Sequence, residues 1–215
     1  MEKQMMKCVK IVPAMALLSL MFVVGCFVQS LYPFYTDKTK IAIPPHIAGH
    51  WEPIEGEEEG GRPWIFSEET ITSYHKKVEL KQAAVFFKVD DVLFLDVQAG
   101  SSIFAEENIW QNAHRLSVHQ VYKVETNRNE MTLFPLDFDW VKRELQSGAV
   151  KLSYYRPVSE QKNTKDDEDA VPIVLTENSE KLTEFLKYCI ANPDAFRGEA
   201  IRYVFRKVPD PATKN

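Results

Sequence analysis

Apolar, β-branched and aromatic residues gather along this chain in short runs separated by Gly, Pro, Asn and Asp, the pattern of successive strands joined by turns. Gly49 to Ile54, Trp64 to Ser67 behind Pro63, and Thr72 to Leu80 are the first such runs. The clearest hairpin follows, with Ala83 to Val89, a turn at Asp90-Asp91, and Val92 to Ala99. Its strands carry Phe86 beside Phe87 and Leu93, Phe94 and Leu95 in a row, so apolar groups point to both faces and each face needs cover. A second hairpin reads as Val118 to Glu125, a polar turn at Thr126-Asn127-Arg128-Asn129, and Met131 to Leu136. Lys151 to Val158, Val171 to Leu175 and Ile201 to Val208 complete the strands. In the last, Ile201, Tyr203 and Phe205 alternate with Arg202 and Arg206.

Two stretches change period. Trp140, Val141, Glu144 and Leu145 predict a short helix capped by Asp139 and ended near Gly148. Leu182, Phe185, Leu186 and Cys189 lie on one stripe of a second helix that starts at Thr176 and ends at Asn192-Pro193. Between them, Ser159 to Asp169 is a charged loop without apolar content. These elements predict a mainly β fold with two helices and eight to ten strands. Successive hairpins make neighbours antiparallel, and a sheet of that size curls strongly or closes into a lipocalin-like barrel to protect its edges.

The first 26 residues break the strand pattern. Lys3, Lys7 and Lys10 precede an apolar run from Ile11 to Val24 that falls short of the about 20 residues a membrane-spanning helix needs. Val23-Val24-Gly25-Cys26 then resembles the lipobox of bacterial lipoproteins. That resemblance implies cleavage between Gly25 and Cys26, a thioether between the Cys26 thiol and a diacylglyceryl group, and palmitate among the acyl chains of the anchor. Two or three acyl chains, at about 0.8 kcal/mol per buried CH₂, give a stable membrane anchor. The expected organisation is a signal peptide over 1–25, a lipidated tether over 26–45 that contains Pro33, Pro44 and Pro45, and one β-rich domain over 46–215. Phe27, rather than an acidic residue, follows the cysteine. By the enteric sorting pattern this favours the outer over the inner membrane.

The net charge of −5 excludes a nucleic-acid-binding surface of the usual basic kind. Of three cysteines, Cys8 leaves with the signal and Cys26 carries lipid. Cys189 is then left on an apolar helical stripe, as a buried small hydrophobe without a disulfide partner.

Ser30-Leu31-Tyr32-Pro33-Phe34-Tyr35-Thr36 and Gly49-His50-Trp51 resemble segments of small lipocalin-like lipoproteins of the bacterial envelope. In lipocalins a G-x-W element closes one end of the barrel beneath an arginine of the last strand. The resemblance therefore implies that Gly49 and Trp51 close an end here, with Arg202 or Arg206 over the indole, a contact worth about 0.5–2 kcal/mol. It also implies a hydrophobic ligand or a structural role in the envelope. The same strands can instead close on a core of their own side chains.

Other chemistry is weaker. His46 and His50 are four apart but sit in an extended approach to the first strand, behind Pro44-Pro45, and His114 and His119 fit neither period, so no metal site is expected. Glu57-Glu58-Glu59 and Asp166-Asp167-Glu168-Asp169 lack the alternating oxygen ligands of a calcium loop. Asp137 and Asp139 read as capping residues ahead of Trp140 rather than a catalytic pair. No nucleophile elbow or phosphate loop is present, so neither catalytic residues nor a cofactor are expected. Trp51, Trp64, Phe86, Phe87, Phe94, Tyr122, Phe134, Tyr155, Tyr203 and Phe205 make either a core or the lining of a cup. The expected partners are the membrane, through Cys26, and a hydrophobic small molecule. The alternative is recognition of an envelope protein or glycan through the loops.

Overall fold

The computed structural model describes residues 27–54, 63–75, 78–99, 117–156, 172–196 and 202–210. Cys26 and the signal, the acidic runs at 57–59 and 166–169, the loop 159–169, His114 and Ile201 lie outside them. The described strands are β1 (Val28–Ser30), β2 (Gly49–Pro53), β3 (Trp64–Phe66), β4 (Thr70–His75), β5 (Val78–Val89) and β6 (Val92–Ala99), followed by β7 (Val118–Thr126), β8 (Glu130–Pro135), β9 (Tyr154–Tyr155), β10 (Ile173–Leu175) and β11 (Tyr203–Val208). The helices are α1 (Phe138–Ser147) and α2 (Ser179–Ile190), with a 3₁₀ turn at Pro193–Phe196.

Eight strands, in the order β6-β5-β4-β3-β2-β11-β8-β7, close through a β6–β7 pairing, and every pair in the ring is antiparallel. Each barrel strand thus neighbours those before and after it in sequence, an up-and-down barrel with no free edge. This is the mainly β, lipocalin-like closed barrel with two helices that the strand pattern implied. The run from Thr72 to Leu80 is divided, however: its two parts belong to different strands, β4 and β5, which pair antiparallel with His75 opposite Val78.

Local chemistry sets the turns. Asp90 and Asp91 have φ of 46° and 66°, the left-handed pair of a type I′ turn whose twist matches the strands it joins. The Asn127 side chain accepts from the N–H groups of Asn129 and Glu130 at 3.0 and 2.8 Å, which folds the β7–β8 connection. Asp137, not Asp139, caps α1 by accepting from the Trp140 N–H at 2.7 Å, and Gly148 ends it at φ 75°. Asn178 caps α2 by accepting from the Lys181 N–H at 3.0 Å, so that helix begins three residues beyond Thr176. In the expected strand over Lys151 to Val158, only Tyr154–Tyr155 pair with a neighbour among the described residues.

The β5–β6 hairpin is buried on both faces. Phe86 pairs with Leu95 toward the barrel interior, and Phe87 with Phe94 toward the outside. Outside, Phe87, Val89, Phe94 and Val121 lie under α1, α2 and the 3₁₀ turn, which contribute Trp140, Val141, Leu182, Phe185, Leu186, Cys189 and Phe196. Cys189 is buried there, and burial pushes its thiol well above the ordinary range, so it remains a neutral apolar group.

The segment expected as a tether over 26–45 is corrected by its packing. Val28 and Phe34 belong to the outer core, and β1 pairs parallel with β10 and antiparallel with β7. The strap then runs back along the barrel wall, where Lys40 bridges Phe87 and the Ile41 N–H donates to the Phe86 carbonyl at 2.9 Å. Its prolines mark changes of direction rather than a spacer, because the outward apolar row of β5 and β6 needs more cover than two short helices supply. The strap is fastened by Asp96, whose buried carboxylate accepts from the Phe34 N–H at 2.8 Å and from His119 Nδ1 at 2.6 Å. Thr183 of α2 adds a bond from Oγ1 to the Phe34 carbonyl at 3.2 Å.

Asp96→Ala strands both donors in the outer core, and breaking a buried charge-assisted pair from one side costs about 3–5 kcal/mol. Urea unfolding should register a loss of that order, with new proteolytic cleavage within 31–41. A loss below about 1 kcal/mol would mean that the strap does not depend on this carboxylate.

Candidate functional site

The barrel has two unlike ends. The turns at 90–91 and 127–129 and the last residues of β11 lie at one, the floor; the opposite end, the mouth, is where β2, β5, β7 and β11 meet connections that include residues outside the described set.

At the floor, a turn at 44–48 crosses the end of the barrel. The N–H groups of Ile47 and Ala48 donate to the Pro44 carbonyl at 2.8 and 3.2 Å, and Ile47 sits wholly buried beneath the interior core. Trp51 is 0% exposed, and its indole N–H donates to the Ile47 carbonyl at 2.6 Å. Gly49 has φ 119°, a conformation that side chains rarely adopt, so a glycine is needed where the turn enters β2.

The cation over Trp51 is Lys207, with Nζ 5.5 Å from the ring and bonded to the His46 carbonyl at 2.7 Å. It holds the position expected for Arg202 or Arg206, and strand parity is the physical reason. Lys207 lies opposite Trp51 and shares the inward face of Tyr203 and Phe205, whereas Arg206 lies opposite Glu52 on the outward face. Arg202 has the same outward parity as Arg206, and both are exposed. His46 and His50 are not brought together as ligands. The His46 ring bonds Thr126 Oγ1 at 3.1 Å, and His50 pairs within the sheet.

Above the floor the interior is filled by the protein itself. Phe66, Phe86, Leu95, Met131 and Phe205 are all below 2% exposed. Trp64 lies over this layer, 5.0 Å from the Phe205 ring and 6.4 Å from Phe66. An eight-stranded barrel is just wide enough to be filled in this way or to admit one small ligand, and its lower half takes the first course.

Toward the mouth the lining becomes mixed. Tyr122 and Tyr203 meet edge to face at 6.0 Å, and Tyr122 donates its hydroxyl to Gln120 Oε1 at 3.0 Å. Burial raises both phenols above their ordinary range, so each remains a neutral hydrogen-bonding group. Gln120 stands opposite Val97, and Gln82 opposite Ile71, which gives both amides inward parity. Ser73, two residues beyond Ile71, shares that face. The Trp64 indole N–H is buried without a hydrogen-bond partner among the described residues, a state that costs about 1–3 kcal/mol relative to a satisfied donor. Ring faces, amides and one unspent donor together suit a small molecule with an apolar body and an acceptor atom.

The Asp96–His119 pair was not anticipated from sequence. A signal was present: Asp96 occupies the same outward parity as Phe94, a covered position at which a carboxylate needs partners. Among the described residues, no group of three His, Cys, Asp or Glu side chains is placed to hold a metal ion. A comparison with protein-family models, with curated proteins and with solved structures finds no match.

Removing the Trp51 side chain should cost about 3–5 kcal/mol, because the lost transfer energy is compounded by a cavity. Lys207→Met should cost about 1–2 kcal/mol through the lost cation–π contact and carbonyl bond. Exposed Arg206→Ala should stay within about 0.5 kcal/mol. Urea midpoints that place Arg206→Ala at or above the cost of Lys207→Met would contradict this assignment of the floor cation.

Proposed function

We propose that this chain is a lipid-anchored protein of the bacterial envelope whose barrel takes a small apolar or aromatic molecule at its mouth. The observation that carries the binding half is the change of lining along the barrel. Packed hydrocarbon below gives way to Trp64, Tyr122, Tyr203 and two inward amides above, with a buried indole donor unpaired among the described residues. The filled floor limits the ligand to the upper half, so a compact ring system fits better than a long acyl chain. The anchoring half rests on the Val23-Val24-Gly25-Cys26 sequence and the basic and apolar run ahead of it. Outer-membrane placement rests on Phe27 alone. The role is one of holding rather than transforming: the mouth offers hydrogen bonds and ring faces, and both tyrosines stay protonated.

Both halves are testable. The purified barrel should bind the apolar fluorophore N-phenyl-1-naphthylamine saturably, and Trp64→Ala should weaken that binding about tenfold, equivalent to about 1.4 kcal/mol. Absence of saturable binding, or equal binding by the variant, would contradict the mouth as the site. Radiolabelled palmitate fed to the expressing cells should enter the wild-type chain and not Cys26→Ser. Equal labelling of the two would contradict the anchor.

A further inference from the structure

The strap that corrects the tether also fixes where an anchored barrel sits. The Phe27 carbonyl accepts from the Ile173 N–H at 3.1 Å, and Val28 already pairs with Ile173, so the sheet begins at the residue after Cys26. Consecutive Cα atoms are about 3.8 Å apart, which leaves Cys26 no length with which to hold the body away from a bilayer. The headgroup layer is about 5–8 Å thick on each side, so whatever surrounds the start of β1 lies within it once the acyl chains insert.

That neighbourhood is suited to such a place. The appended sheet β1-β10-β9 buries Val28, Ile173 and Leu175 against the outer core and turns the opposite parity outward. One cross-strand row on the outward side runs Gln29, Val174, Tyr155. Tyr155, at the end of that row on the edge strand, is 60% exposed. Strands lie about 4.8 Å apart, so β9 is about 10 Å from β1, close enough to meet the same layer. Tyrosine, with an apolar ring and a polar tip, is enriched at membrane–water interfaces.

We infer that the outward face of the β1-β10-β9 sheet is a membrane-docking surface, with Tyr155 seated in the phospholipid headgroup layer beside the acylated Cys26. This rests on the lipid anchor proposed above and adds a fixed orientation to it. The barrel wall beside β7 faces the bilayer, and the β2–β3 wall, across the ring, faces water.

The test uses the full acylated chain in vesicles of phosphatidylethanolamine and phosphatidylglycerol. A nitroxide is placed at Tyr155→Cys or, on the exposed outer side of β2, at Glu52→Cys; native Cys189 is buried and escapes the label. Accessibility of the nitroxide at 155 to an aqueous nickel chelate should fall severalfold relative to the same variant in a Cys26→Ser chain that lacks residues 1–25 and with them Cys8 and the apolar run. At 52 it should be unchanged. Equal accessibility at the two sites in the vesicle-bound protein would overturn the docking surface while leaving the anchor intact. Sedimentation of the Cys26→Ser protein with vesicles to the same extent as the acylated chain would overturn the anchor, and this inference with it.

Discussion

Two large rings side by side on one strand, Phe86 and Phe87, opposite Leu95 and Phe94 on the next, set the terms for the rest of this structure. A strand places neighbours on opposite faces, so this wall cannot be solvated on either side without exposing aromatic surface. The inner face is satisfied by closing eight strands around it. The outer face requires separate cover, and the chain supplies it from three places: the helices between β8 and β11, the small sheet β1-β10-β9, and the strap leading to Ile41. The barrel therefore has two hydrophobic cores divided by one sheet.

The division explains where polar groups are tolerated. Asp96 and His119 sit on the outward face, under the strap, where each satisfies the other and the carboxylate also holds a backbone N–H. Inside, Tyr122, Gln120 and the Trp64 indole lie toward the mouth, above a layer that is wholly apolar. The floor needs no ligand to be stable, since Trp51, Ile47 and Lys207 close it with the protein's own groups. Binding chemistry is thereby confined to the end where aromatic and polar side chains meet.

Much of the fold was legible because its signals are local. Two-residue periodicity, the Asp90-Asp91 turn and the double-faced hairpin marked a curled antiparallel sheet with two helices, and Gly49 and Trp51 marked the turn at its end. What sequence reading missed depends on pairing across the chain. Lys207 was passed over for Arg202 and Arg206 because an arginine was expected, although alternation with Tyr203 and Phe205 puts Lys207 on the inward face. The strap looked like a spacer because Pro33, Pro44 and Pro45 suggest extended, solvated chain; only the outward row of Phe87 and Phe94 calls for the cover that Phe34 and Val28 give. The bond from Asp96 to His119 joins residues 23 apart in sequence, beyond any helical or strand period.

The central claim is that residues 27–41 belong to the same cooperative unit as the barrel wall they cover. Native-state hydrogen exchange measures this directly. The amides of Leu31, Phe34 and Ile41, which donate to Leu175, Asp96 and Phe86, should exchange with the same opening free energy as those of β5 and β6. Exchange of these three at near-unprotected rates, while β5 and β6 stay protected, would make the strap a frayed leader and contradict the account.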